Sequence, residues 1–315
     1  MSQHHTVECR PANCHWGFFD AALKPVVTIA SGDTVSYDCV SGGRDILPDD
    51  PAFEILADHR AIHGALTPRL GAHIMTGPVA VMGAQPGDVL QVDILSIECR
   101  QNWGYTRIRP LVGTLPEDFP IHKMWHSGID RQRNVATLPW GLEIDLAPFF
   151  GVMGVAPPPT YGACSSIQPR EFGGNMDLKE LVAGTTLYLP VWAPGALFSV
   201  GDGHGVQGDG EVCITALETA LSGTFRLTVR RDLKFVLPRA ETPTHHITMA
   251  FNEDLDDAAK DALRVMIDLI VERLGLSRAD AYMFASLAVD MRVTQLVDGN
   301  KGIHAMLPKH FTPTV

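Results

Sequence analysis

Two spacings of apolar residues divide the chain. Through the first 240 residues the apolar positions recur every second residue in short runs. In GDVLQVDILSI (87–97), Leu90, Val92 and Ile94 fall on one face, with Gln91 and Asp93 on the other; in TFRLTVRRD (224–232), Phe225, Leu227 and Val229 alternate with Arg226, Thr228 and Arg230. A period of two predicts half-buried strands, because successive side chains of an extended chain point to opposite faces. SGDTVSYDCV at 31, PGDVLQVDIL at 86 and AGTTLYLPVW at 183 each set a glycine and a polar turn residue just ahead of such a run, predicting repeated turn-to-strand starts.

Beyond residue 240 the period lengthens. Ala259, Leu263, Met266, Ile267, Ile270 and Leu274 recur at three- and four-residue steps, predicting a helix that begins near Glu253. Glu253, Asp254, Asp256 and Asp257 suit its electropositive N-terminus, Asn252 is available as the cap, and Gly275 ends it. Ser277 followed by Asp280 predicts a second helix from about Arg278 to about Ala288, and MRVTQLVD (291–298) a strand after it. Of the 29 glycines and 22 prolines, residues 241–315 hold three of each, so the two parts differ in architecture. The expectation is a mainly β fold with α/β additions: a β-sandwich-like body over residues 1–240 that carries the active site, and a small C-terminal α/β subdomain over 241–315 packed on it.

Composition narrows the function. The formal net charge of −11 and the lack of a basic run argue against a nucleic-acid partner, which requires clustered Lys and Arg. No stretch approaches the ~18 uninterrupted apolar residues of a membrane helix. With no apolar segment behind a basic start in MSQHHTVECRPANCHWGFFD, a cytoplasmic protein is expected. The six cysteines form no CxxC pair, so free thiols are expected rather than a Cys9–Cys14 disulfide.

Candidate chemistry concentrates in VGDGHGVQGDGE (200–211). On a strand Asp202 and His204 point the same way, giving a carboxylate and an imidazole side by side, the start of a transition-metal site with zinc the usual occupant. An EF-hand calcium loop is excluded by His204 and by the ligand spacing. A phosphate cradle needs a helix to follow, whereas VCITALET reads as a strand. A Gly-rich hairpin with no chemistry stays open on spacing alone. QPREFGGNMD (168–177) offers Glu171, Asn175 and Asp177 around a Gly pair, as a substrate-orienting loop or an ordinary turn. His73 in GAHIMTGP and His15 in NCHWG are lone histidines, and Cys164 in YGACSS is a candidate nucleophile without a visible base.

Taken together, VGDGHGVQGDGEVCITALET, QPREFGGNMDLKEL with GTTLYLPV, GPVAVMGAQPGDVLQVDI and RVTQLVD resemble the acetamidase/formamidase family, in order from about His15 to about Lys309. The resemblance implies hydrolysis of small carboxamides to acid and ammonia on a β-sandwich-like body. The positions matching its polar motifs are Asp202, His204, Gln207, Asp209, Glu211, Glu171, Asn175, Asp177 and His73; Gly205 and Met82 depart from its pattern, in ways expected to widen the pocket and alter a rim contact.

Chemistry then suggests the roles. Asp202, His204 and His73 are expected to hold a divalent metal, zinc first; Glu211 and Asp209 to move protons; Gln207, Asn175, Glu171, Asp177 and His15 to hold substrate. The expected partner is a small amide, with neither nucleic acid nor membrane and with a homo-oligomeric assembly. A compact lactam on the same site, metal-free chemistry by Cys164 or a carboxylate, and a non-catalytic β-sandwich binding protein are the alternatives. Trp16, Trp103, Trp125 and Trp192 would wall the pocket or fill the core.

Overall fold

The computed structural model of the chain describes residues 2–312. Its strands form two large sheets and two small ones, so the fold is mainly β as the period-two runs predict. The largest sheet has nine strands in the order His4–Val7, Thr34–Asp38, Leu221–Arg230, Val89–Cys99, Thr186–Pro190, Arg239–Glu241, His245–Asn252, Lys301–Pro308 and Asp290–Gln295. A six-stranded sheet runs Gly173–Asn175, Phe149–Gly154, Phe198–His204, Ile74–Val81 and Cys14–Trp16, with Val27–Ile29 parallel to Ile74–Val81.

The alternation read from the sequence decides which faces meet. Leu90, Val92, Ile94, Phe225 and Leu227 of the nine-stranded sheet and Phe150, Val152, Phe198 and Val200 of the six-stranded sheet are fully buried in one cluster, the sandwich core. Burying a large apolar side chain is worth about 1.5–3 kcal/mol, so this shared face is what holds the sheets together. A four-stranded sheet, Trp103–Ile108 to Lys123–Asp130, Val135–Thr137 and Glu143–Asp145, stands beside the sandwich.

Residues beyond 240 continue the large sheet instead of starting another: Thr186, Leu187 and Tyr188 pair with Glu241, Ala240 and Arg239, and His245–Asn252 follows in register. The helix Leu255–Leu274 lies on that extension, with Ala258 and Ala262 against Ala250 and Ile303, and Met266 and Ile270 against Ala305 and Leu307. Its cap is Asp254, whose carboxylate accepts the Asp256 and Asp257 N–H groups, while Asn252 takes the N–H of Asp254 from one step further out. Gly275 ends it at φ +67°, and Arg278–Ala288 begins at the Ser277 cap as expected. VCITALET departs from expectation. It is a run of turns, not a strand, and only Glu218 forms ladder-like contacts, with Tyr105 and His204.

Candidate active site

The VGDGH phrase ends the strand Phe198–His204, every residue of which is buried. Asp202 takes φ +57° there and keeps its carboxylate beside the next-but-one imidazole: His204 Nε2 and Asp202 Oδ2 are 3.1 Å apart. Gly151, on the adjacent strand Phe149–Gly154, makes the room. A Cβ at 151 would come within 2.7 Å of Asp202 Oδ2 and 2.8 Å of His204 Cε1, and would overlap Asp177 Oδ1. Asp177 (φ +50°), Glu211 (φ +45°) and Ile214 (φ +74°) share the left-handed backbone of Asp202, so four of the eight non-glycine residues with positive φ among the described residues stand around this one site. Each costs about 1–3 kcal/mol, and such strain persists only where the surroundings over-determine it.

One hydrogen-bond relay fixes the central imidazole. Gln207 donates from Nε2 to the Asp177 carbonyl at 2.8 Å, which leaves its Oε1 to accept the His204 Nδ1–H at 2.9 Å. His204 Nε2 therefore faces the acids: Asp202, Glu218 Oε1 at 3.3 Å and Glu211 Oε1 at 4.0 Å. His73 is oriented the same way, its Nδ1–H donating to the Ser166 carbonyl at 3.1 Å while Nε2 looks toward Asp202 Oδ2 at 3.9 Å. Above them opens a cavity of ≈110 Å³ lined by His73, Asp202, Glu211, Glu218, Asn175, Asp298 and Tyr105, with Arg107 and Arg109. Asn175 Oδ1 and both Asp177 carboxylate oxygens are buried without a hydrogen-bond partner.

The charges are unusual for an interior. Burial raises the carboxyls of Asp177, Glu211 and Asp298, reinforced for the last two by the neighbouring Asp177, and it takes Glu218 up to about 7. Asp202 goes the other way: burial opposes its charge, but His73 and His204 outweigh burial and hold it below the ordinary range. Burial likewise disfavours the His204 imidazolium, yet Glu218 and Asp202 raise its pKa well above the usual value. Four buried carboxyl groups thus crowd one imidazole and a fifth, Asp298, lines the same cavity; none of the five has a Lys or Arg within 4.0 Å among the described residues. Asp202, His204 and Glu218, and separately Asp177, His204 and Glu211, present donor atoms within 4.8 Å of one another. A divalent cation fits this donor set, because it supplies the positive charge the acids lack.

Of the residues expected from sequence, the fold brings Asp202, His73, Glu211 and Asn175 to the cavity wall, places His204 buried against Asp202, and sets Asp177 and Gln207 on the far side of His204. Gln207, expected on substrate, spends its amide on the relay. Three others stand elsewhere. Asp209 turns out to Lys179 at 2.8 Å, since the chain reverses after Gln207. Glu171 lies outside the cavity near Trp192, whose indole donates to its carbonyl. His15 is consumed by packing, with Nδ1 on the Phe18 carbonyl at 2.7 Å and Nε2 on Ser199 Oγ at 3.0 Å. Gly205 faces Leu146 and Leu217 and Met82 is exposed, so neither touches the cavity. The four tryptophans are absent from its wall, where Tyr105 stands instead, and the Cys164 thiol, raised by burial, is absent too. Glu218 and Asp298 were missed. The signal is an acid within or ending the strand-like runs VCITALET and RVTQLVD.

The acetamidase/formamidase family model matches residues 6–162 and 158–311. The chain is 29% identical over 202 residues to an acetamidase of Mycolicibacterium smegmatis, covering 44% of this chain and 49% of that one. It spans between 49% and 61% of the length of the curated relatives it matches. A crystal structure of an acetamidase from Bacillus halodurans superposes with a TM-score of 0.84 at 31% identity, over 97% of each chain. A gamma lactamase from Delftia acidovorans, at 22% identity and a TM-score of 0.65 over 98% of this chain and 94% of that one, shares the fold. The chain belongs to the acetamidase/formamidase family.

Proposed function

We propose that the cavity hydrolyses the C–N bond of a small carboxamide, giving the acid and ammonia. The observation that carries this reading is the approach of Asp202 Oδ2 and Glu218 Oε1 to His204 Nε2, at 3.1 and 3.3 Å, on the floor of a ≈110 Å³ cavity. An amide needs a strengthened nucleophile, a stabilised oxyanion and a protonated leaving nitrogen.

Asp202, His204 and Glu218 are the residues that would hold a divalent metal, with His73 Nε2 within reach as a further ligand; their mixed nitrogen and oxygen donors suit zinc. When bound, such an ion supplies Lewis acidity, bringing a water toward a pKa of about 7 and polarising a carbonyl. Glu211, on the cavity wall with Asp202 and Glu218, would move the proton from the attacking water to the departing nitrogen once a bound cation offsets the burial and the Asp177 charge that favour its neutral form. The partner-free Oδ1 of Asn175 accepts an N–H of the substrate amide and so turns its carbonyl carbon toward the water. Gln207 keeps the His204 ring in one tautomer through Nδ1.

Ammonia release from formamide and acetamide, followed with and without a chelator and for His204→Ala, tests the reading. The expected outcome is turnover that chelation abolishes and zinc restores, with a loss of about a thousandfold and of bound metal in the variant. Full turnover in chelator, or a variant that keeps its metal and its rate, would sink the metal assignment; no ammonia from either amide would sink the amidase reading for neutral substrates.

A further inference from the structure

The cavity is two-toned. Its floor is acidic, but its wall carries Arg107 and Arg109, and those two guanidinium groups also line an adjoining surface basin of ≈250 Å³ with His122 and Lys123. Three fixed cations and a histidine meet one acid there, Asp45, on a chain whose net charge is −11. The arginines do not neutralise the floor. Arg107 Nη1 is taken by Asp45 at 2.6 Å, and its buried Nε has no hydrogen-bond partner. Arg109 makes no ion pair or side-chain hydrogen bond among the described residues, and burial together with the charge of Arg107 disfavours its own charge. A half-buried, unpaired guanidinium beside a second one is costly unless an anion joins it, and the planar fork of Arg matches a carboxylate in two parallel hydrogen bonds.

Building on the amidase reading, we infer that the substrate is an amide whose acyl chain ends in a carboxylate, the amide lying over His204 and Glu211 and the carboxylate held by Arg109 with Arg107. A monoanion fits better than a phosphate ester, since a second negative charge would face Asp202, Glu211, Glu218 and Asp298 at close quarters. The reaction balances as simple hydrolysis. The amide C–N bond breaks, a C–O bond forms from water, and the nitrogen leaves as ammonia with a proton from that water, so a monoamide of a dicarboxylic acid yields the dicarboxylate.

The test compares succinamate with acetamide, in turnover by the wild-type protein, Arg109→Gln and Arg109→Lys, and in binding by calorimetry. Wild-type kcat/KM is expected to favour succinamate by about a hundredfold; Arg109→Gln should cut that ratio by at least about tenfold, and Arg109→Lys should recover part of it. Equal kcat/KM for the two amides, or a ratio unmoved in Arg109→Gln, overturns the inference and leaves the amidase reading standing. Succinamate that binds with dependence on Arg109 while neither amide is hydrolysed overturns the amidase reading and leaves the anion site standing; the same binding with only acetamide hydrolysed overturns the inference about the substrate and leaves the amidase reading standing. Neither binding nor turnover overturns both.

Discussion

The C-terminal helices and the acidic cavity are built on opposite terms. Between Asp254 and Ala288 every local rule agrees with the fold: a carboxylate cap, acids in the first turn, buried alanines facing the sheet, a left-handed glycine at the stop and a serine cap on the next helix. Around His204 the same rules are broken together. Acids sit at positive φ, carboxyls are buried without partners, and a glycine occupies the middle of a strand where a side chain would have added core. Consistency marks the part that stabilises the molecule. Its absence marks the part where the molecule spends stability on chemistry.

The sharpest way to break this contrast is Gly151→Ala. A single methyl there collides with Asp202, His204 and Asp177, so amide turnover is expected to fall by at least about a hundredfold, as about 1 Å of misplacement can cost that much, with metal affinity falling as well. Thermal unfolding shows whether the sheet survives. A variant that keeps both rate and metal would mean that the close approach does not shape the site.

Acid titration comes next, since it separates a histidine that serves packing from one that serves the cavity. Burial depresses His15 from 6.5 to about 4, while unfolding restores the ordinary value. The folded protein therefore binds fewer protons than the unfolded one between those limits. Stability from this group is complete above pH 6.5 and is lost as pH falls toward 4, by about 3 kcal/mol at the lower end. Denaturant unfolding across that range should show the loss, and His15→Asn should flatten that limb of the curve; a limb of the same slope in the variant would refute it.

The smallest effect tests the compliant region. Asp254→Ala removes the acceptor of two backbone N–H groups and should cost about 1 kcal/mol, read as a lower unfolding midpoint with amide turnover unchanged. A drop in turnover would show that the helix and the cavity are coupled.

The same contrast explains what could be read from the sequence. Strands and helices announce themselves by period, because one face of each is buried, and capping residues mark helix ends within a position or two. His204, Asp202, His73, Asn175 and Glu211 could be found because donors close together in a Gly-rich phrase, or in a motif shared with relatives, have few other uses. Glu218 was hidden. Its apolar neighbours imitate a strand, and only its pairing with Tyr105 turns the carboxylate inward. Asp209 misled for the opposite reason: it belongs to the phrase, but Lys179, thirty residues earlier, draws it outward. Gly151 gives no local sign at all, since what it must avoid comes from other strands.

The double tie at Glu218 has a consequence for traffic. Its N–H and carbonyl both bond Tyr105, and its backbone bridges His204, so the small sheet, the turn segment and the floor of the cavity are riveted at one residue. That side cannot swing open without breaking the floor itself. If the carboxylate inference holds, a dicarboxylate made inside would leave past Arg107 and Arg109, the guanidinium groups shared by the cavity wall and the adjoining basin. Departure of the product, rather than cleavage of the amide, then becomes the step most open to slowing by salt-sensitive attraction at the threshold.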